Sequence, residues 1–169
     1  MENKLNHHCT GIYTLCFLKH QDRYLLIKRA NEPNAGLFNG LGGKVSRLES
    51  PEENIRREFM EESGLILEKF HLAGILRMVE GDHGNDYLIF TYLASDFSGE
   101  LLEQSPEGEL HWINANQLDS IPMIPNINVF LPLLEASTTP MEMHFLYPDD
   151  HSGFTFRYKS GQNWIEKKI

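Results

Sequence analysis

The sequence predicts a mixed α+β domain, and three observations carry that expectation. The chain has 169 residues, which at roughly 100–200 residues per domain is one unit. Hydrophobic residues make up 41% and charged residues 23%, the balance of an ordinary folded chain rather than a disordered one. Apolar segments of strand character, about seven of them, are interrupted by two segments of helical period, with no repeat and no linker-like composition shift through residue 135. The expected unit is therefore a single domain over 1–169, with its core from about 10 to 159 and both ends loosely attached.

The elements follow in order. Residues 12–19, rich in apolar and β-branched side chains, read as a strand; HQDR makes a turn, and 24–29 a second strand. Residues 30–43 are irregular, and Gly36, Gly40, Gly42 and Gly43 mark a loop with unusual backbone angles. A helix near 51–63 has the clearest signature. Ser50 is a good N-cap, Pro51 suits the first helical position, Glu53 completes a capping box, and Gly64 terminates it. Ile55 and Phe59, four apart, face the core. Leu65–Leu67 and His71–Val79 read as separate extended segments, and 86–94 as a strong strand. A short strand at Glu109–Ile113 and a helical turn at Asn116–Ser120 precede a second helix at Asn126–Glu135. Met141–Tyr147 and Gly153–Lys159 form a closing hairpin around PDDHS, and the last ten residues are expected to be frayed or weakly attached.

Charge and cysteine usage narrow the function classes. Fifteen basic against 24 acidic side chains give a formal charge of −9, which argues against a nucleic-acid polymer or a membrane surface as partner. Cys9 and Cys16 make no disulfide framework and no CxxC pair; Cys16 reads as a small core residue. The first residues lack the apolar stretch of a signal peptide, and no run is long enough to cross a bilayer, so the expected location is cytoplasmic.

The chemistry concentrates between residues 39 and 65. Glu58, Glu61 and Glu62, at i, i+3 and i+4, stand on one helical face. Like charges at that spacing destabilise a helix by about 0.2–0.5 kcal/mol per pair, and they lie at the end where the helix dipole disfavours them. A bland acidic surface would leave both costs uncompensated, whereas a bound cation removes them. Clustered oxygens without Cys or His suit Mg²⁺ or Mn²⁺ rather than zinc.

From Gly43, five residues lead to Glu49 and seven more to Arg57, followed by Glu58, Phe59, Met60, Glu61, Glu62, Ser63, Gly64 and Leu65. This stretch matches G-x5-E-x7-R-E-U-x-E-E-x-G-U at every specified position, U being apolar. The chain thereby resembles the Nudix hydrolases. The resemblance implies an α/β/α sandwich with a central mixed β-sheet, and hydrolysis of a nucleoside diphosphate derivative by a metal-activated water. It makes Glu58, Glu61 and Glu62 metal ligands, joined by the Gly42 backbone carbonyl and by Glu107 from a distant loop. It makes Gly43, Glu49, Arg57 and Gly64 supports of the loop–helix unit, with Arg57 paired to Glu49. The general base stays open among Glu58, Glu61, Glu62 and Glu107.

Beyond this stretch, YTL at 13–15, FNGLGGKV at 38–45, SPEGELHW at 105–112 and IP…FLPLL at 121–134 resemble the MutT-like 8-oxo-dGTP diphosphatases. That branch implies Asn39 as a purine contact, Thr14 and Asn126 in the nucleoside pocket, and Lys44 at a phosphate. Trp112 reads as packing. The histidines His7, His8, His111, His144 and His151 have no metal spacing. One departure matters. Where the branch carries a stacking Trp and acidic residues, this chain has Ile124, Asn126 and Ile127. Isoleucine has no flat stacking face, and asparagine differs from carboxylate in its donors. Phe38 and Phe130 are the nearby aromatics that could compensate.

The expected activity is therefore cleavage of a nucleoside triphosphate to monophosphate and pyrophosphate with Mg²⁺ or Mn²⁺, in a monomer or homodimer, with 8-oxo-dGTP as one candidate substrate and an unmodified or differently modified nucleotide as another. Two alternatives stand beside it. One is a Nudix hydrolase of ADP-ribose, a nucleotide sugar or a dinucleoside polyphosphate. The other is a non-catalytic nucleotide-sensing module, against which the intact glutamates speak.

Overall fold

A computed structural model describes residues 9–81, 84–150 and 152–169. The elements are β1 (Gly11–His20), β2 (Arg23–Arg29), β3 (Phe38–Asn39), α1 (Pro51–Ser63), β4 (Leu65–Glu80), β5 (Asp86–Gly99), β6 (Gly108–Asn114), a 3-10 turn (Ala115–Ser120), α2 (Ile127–Ala136), β7 (Met141–Tyr147), β8 (Thr155–Ser160) and β9 (Asn163–Lys168). The strands form one mixed sheet in the order β3-β2-β1-β5-β4-β7-β8-β9, with β6 on the other edge of β2. β1 runs parallel to β5 and β4 parallel to β7; the remaining pairs are antiparallel.

Side-chain alternation explains why a helix covers each face. In β1, Leu15 and Phe17 point to one side and join Ile127, Phe130, Leu131 and Leu134 of α2. Cys16 and Leu18 point to the other and join Ile55 and Phe59 of α1. Burial of Ile55 and Phe59 is complete, and at about 1.5–3 kcal/mol each it fixes α1 on the sheet. The result is the expected α/β/α sandwich. The capping box forms as expected: Ser50 and Glu53 bond each other's backbone N–H. Gly64, at φ 76°, closes the helix with its N–H on the Met60 carbonyl. No helix among the described residues is long and apolar enough to cross a membrane.

One local feature positions the site. β1 pairs with β2 only over Leu18–His20, after which the two strands part. Residues 38–45 fill the gap: Phe38 and Asn39 pair with Lys28 and Ile27, Leu41 bridges Cys16, and Lys44 bridges Tyr13. The glycine loop thus continues the ladder along β1, with Thr14 N–H donating to the Gly43 carbonyl at 2.8 Å.

Three expectations are corrected. Residues 160–169 are not a frayed end: β9 pairs with β8 along its length, and Phe154 and Ile169 exchange backbone hydrogen bonds. Glu166 and Lys167–Lys168 have the composition of a solvated tail, but only the edge of the sheet needs to hold them. The segments expected at 65–67 and 71–79 are one strand, whose bulges at Leu67/Lys69 and Leu72/Gly74 break the alternation. The strand expected at 86–94 continues to Gly99. His7, His8 and His151 lie outside the described residues.

Candidate active site

The last two turns of α1 carry Glu58 and Glu62 toward the glycine loop. Glu62 is 7% exposed, and the Gly42 N–H donates to its Oε2 at 2.9 Å. Gly42 has φ 144°, and a Cβ there would stand 2.3 Å from the Thr14 carbonyl oxygen, so only glycine brings this peptide against the carboxylate. At Gly43 a Cβ would fall 2.6 Å from the Glu58 carboxyl carbon, so a second bare backbone makes room for a second acid.

Burial pushes the Glu62 carboxyl up to about 8; the Gly42 N–H opposes this, and the charges of Glu58 and Glu107 raise it further. Glu107 reaches the same place from the loop before β6, which is tied down by Ala30 N–H on the Glu107 carbonyl at 3.0 Å. Glu58, Glu62 and Glu107 line one cleft of about 390 Å³ together with Thr14, Arg29, Asn39, Gly42, Gly43 and Lys44. A larger hollow of about 610 Å³ at Val79, Tyr147 and Phe154 has Asp149 as its one acidic lining residue among the described residues, so size alone does not locate the chemistry.

Arg57 organises the acids that Glu62 does not. Its guanidinium grips Glu49 with Nη2–Oε1 at 2.8 Å and Nε–Oε2 at 3.1 Å. It also stands 2.9 Å from a Glu58 oxygen and 2.9 Å from a Glu61 oxygen. Arg57, then Asn54 and the Ser46 N–H, hold the Glu49 carboxyl well below the usual range. Glu61 is turned outward, its side chain 58% exposed.

The donor set fits a hard divalent cation: Glu58, Glu62 and Glu107 are oxygen donors converging without Cys or His, and their mutual repulsion is what a cation would relieve. As the side chains stand, no group of three acidic, His or Cys side chains among the described residues is drawn tightly enough to hold a metal. Glu61 spends its charge on Arg57 instead.

The other expected residues fall as follows. Asn39 lines the cleft; its Oδ1 accepts the Gly40 N–H at 2.9 Å, so the amide nitrogen is what it offers a ligand. Lys44 is on the rim. Thr14 lines the cleft, and its hydroxyl proton is donated to Asn54 Oδ1, which leaves the oxygen as an acceptor. Asn126 is not in this cleft. It is 5% exposed, and its Nδ2 donates to Tyr147 Oη at 3.0 Å, while its segment runs beside Phe38 through Ile124 N–H on the Phe38 carbonyl. Phe130 is 1% exposed between Phe17 and Phe145, so it presents no face to a base; Phe38 meets His111 edge-on. Trp112 packs on Phe97, as expected.

Sequence reasoning missed Asn54 and Arg29. Asn54, fully buried, is one of the unspecified positions between Glu49 and Arg57 and lies next to the apolar stripe. Arg29 ends β2, lines the cleft and draws the Glu62 carboxyl back down; its place beside the irregular loop was the available signal.

Comparison with known proteins agrees with this fold. The NUDIX domain model matches residues 9–134. An oxidized purine nucleoside triphosphate hydrolase of Mus musculus is 30% identical over 125 residues, covering 73% of this chain and 78% of that one. An ADP-ribose pyrophosphatase of Methanocaldococcus jannaschii is 30% identical over 104 residues, 62% of each chain. A mutator MutT protein from Bacillus halodurans superposes with a TM-score of 0.76 at 31% identity, over 88% of this chain and 97% of that one. The chain belongs to the Nudix family. Within it the protein is a MutT-like pyrophosphohydrolase, of a class that acts on small nucleotides and generally needs divalent metal ions.

Proposed function

We propose that this hydrolase cleaves a nucleoside triphosphate to the monophosphate and pyrophosphate with Mg²⁺, Mn²⁺ serving in its place, and that 8-oxo-dGTP is the leading substrate. The observation that carries the reading is the convergence of Glu58, Glu62 and Glu107 beside the Gly42–Gly43 loop. When bound, the metal supplies neutralisation of diphosphate oxygens and acidification of a water. Glu58, Glu62, Glu107 and the Gly42 carbonyl would hold it, and Glu61 would join them on leaving Arg57. One carboxylate of the four receives the water's proton. Lys44 and Arg29 line the cleft and would meet phosphate oxygens with positive charge. Asn39 offers its amide nitrogen to an acceptor on the base.

A second reading is a different nucleoside diphosphate derivative, ADP-ribose foremost. Ile124 in place of an aromatic, and the engagement of Asn126 with Tyr147, weaken the case for an oxidised purine, and one relative is named an ADP-ribose pyrophosphatase. Initial rates on dGTP, 8-oxo-dGTP, the other nucleotides, ADP-ribose and a nucleotide sugar decide between them. The highest kcat/KM on 8-oxo-dGTP supports sanitation of the nucleotide pool; the highest on ADP-ribose removes it.

A further inference from the structure

Asn54 lies in the first half of α1 with no exposed surface. Asparagine is a poor interior helix residue, and a buried amide is costly unless its hydrogen bonds are made. Here they are. Nδ2 donates to the Lys44 carbonyl at 2.9 Å and to Glu49 Oε1 at 2.8 Å, and Oδ1 accepts from the Thr14 hydroxyl. Both partners of Nδ2 are acceptors only, so the orientation of the amide is forced.

This one side chain joins β1, the glycine loop and the carboxylate that grips Arg57. Glu49 Oε1 receives three donors: Ser46 N–H at 2.7 Å, Asn54 Nδ2 at 2.8 Å and Arg57 Nη2 at 2.8 Å. Arg57 in turn touches Glu58 and Glu61. A continuous path of polar contacts therefore runs from Thr14 through Asn54, Glu49 and Arg57 to two acids of the cluster.

We propose that Asn54 is a positioning residue for the metal carboxylates: by fixing Glu49 it sets the guanidinium of Arg57, and through it the places of Glu58 and Glu61. The inference rests on the metal reading above. It also separates two halves of the network, since Thr14 braces the amide from the far side while the Nδ2 bonds carry the effect on Glu49.

The test compares Asn54→Ala with Thr14→Val in nucleotide-free protein, reading Mn²⁺ binding by electron paramagnetic resonance and Tm in EDTA. Both variants lower Tm. Asn54→Ala weakens Mn²⁺ binding about tenfold, in the range seen when residues behind metal ligands are removed, while Thr14→Val, which leaves both Nδ2 bonds in place, weakens it less. In turnover, Asn54→Ala raises the Mg²⁺ concentration for half-maximal rate without raising the nucleotide KM at saturating metal. Wild-type Mn²⁺ affinity in folded Asn54→Ala would reduce Asn54 to a packing residue and overturn the proposal. Should Asn54→Ala not fold, Asn54→Ser is measured against the same two outcomes. Absence of Mn²⁺ binding by the wild-type protein would instead remove the metal reading, and this inference with it.

Discussion

The backbone N–H of Gly42 and the Oε2 of Glu62 meet at 2.9 Å, across 20 residues of sequence. That bond fastens the glycine loop to the helix that carries the acids. Among the described residues it is the one hydrogen bond offered to Glu62, the most buried carboxylate of the cluster. Glu62→Gln keeps an acceptor for Gly42 but loses the charge. The expected outcome is a folded protein whose kcat/KM drops by about 10²-fold or more, the scale of removing a carboxylate that holds metal or moves a proton. Steady-state kinetics beside a thermal melt checks it, and near-wild-type turnover would take Glu62 out of the machinery.

The same residue sets a pH dependence for the metal-free protein. Burial holds the folded Glu62 carboxyl at about 8, above its unfolded value near 4.5. Between those values the folded chain keeps a proton that the unfolded chain has released, so stability is fully present below the lower value and falls as pH rises toward 8. In EDTA, Tm should decline across that window, and Glu62→Gln should flatten the decline. Divalent metal should restore more Tm at the alkaline end, because its ligands bind deprotonated. A Glu62→Gln profile identical to wild type in EDTA would contradict the assignment.

Arg57 is predicted to resist conservative replacement. Lysine has one point charge and cannot grip both Glu49 oxygens while touching Glu58 and Glu61. Arg57→Lys should cost about tenfold in kcat/KM and raise the Mg²⁺ requirement. A metal titration of rate that overlays on wild type would show the grip to be dispensable.

The closing strand gives a stability prediction. Ending the chain after Ser160 removes β9, unpairs the β8 edge and deletes the Phe154–Ile169 hydrogen bonds. Tm should fall by at least ~2–4 °C, the shift that one kcal/mol produces in a domain of this size. An unchanged melt would return residues 161–169 to a loosely attached end.

The parts of this molecule that local rules govern were readable in advance. Ser50, Glu53 and Gly64 bound α1 because capping depends on neighbours in sequence, and the spacing from Gly43 to Leu65 places the acids because a helix has a fixed period. What escaped depends on partners distant in sequence. Lys167 and Lys168 look like a tail until β8 supplies a ladder for them. Asn54 looks like surface until Thr14 and Lys44 close over it. Asn126 looks available to a substrate until Tyr147, from a strand after α2, takes its amide. Helical spacing likewise makes Glu61 a ligand equal to its neighbours, whereas its side chain turns outward against Arg57, a choice that spacing alone does not decide.

The reaction proposed for the acidic cleft is metal-dependent cleavage of a nucleoside triphosphate to monophosphate and pyrophosphate. The most direct measurement is chromatographic resolution of the products from dGTP and 8-oxo-dGTP, with Mg²⁺ and with EDTA. The account predicts nucleoside monophosphate and pyrophosphate in equal amounts with Mg²⁺, and no turnover in EDTA. Turnover that persists in EDTA, release of orthophosphate with nucleoside diphosphate, or no turnover of either nucleotide with Mg²⁺ would contradict it.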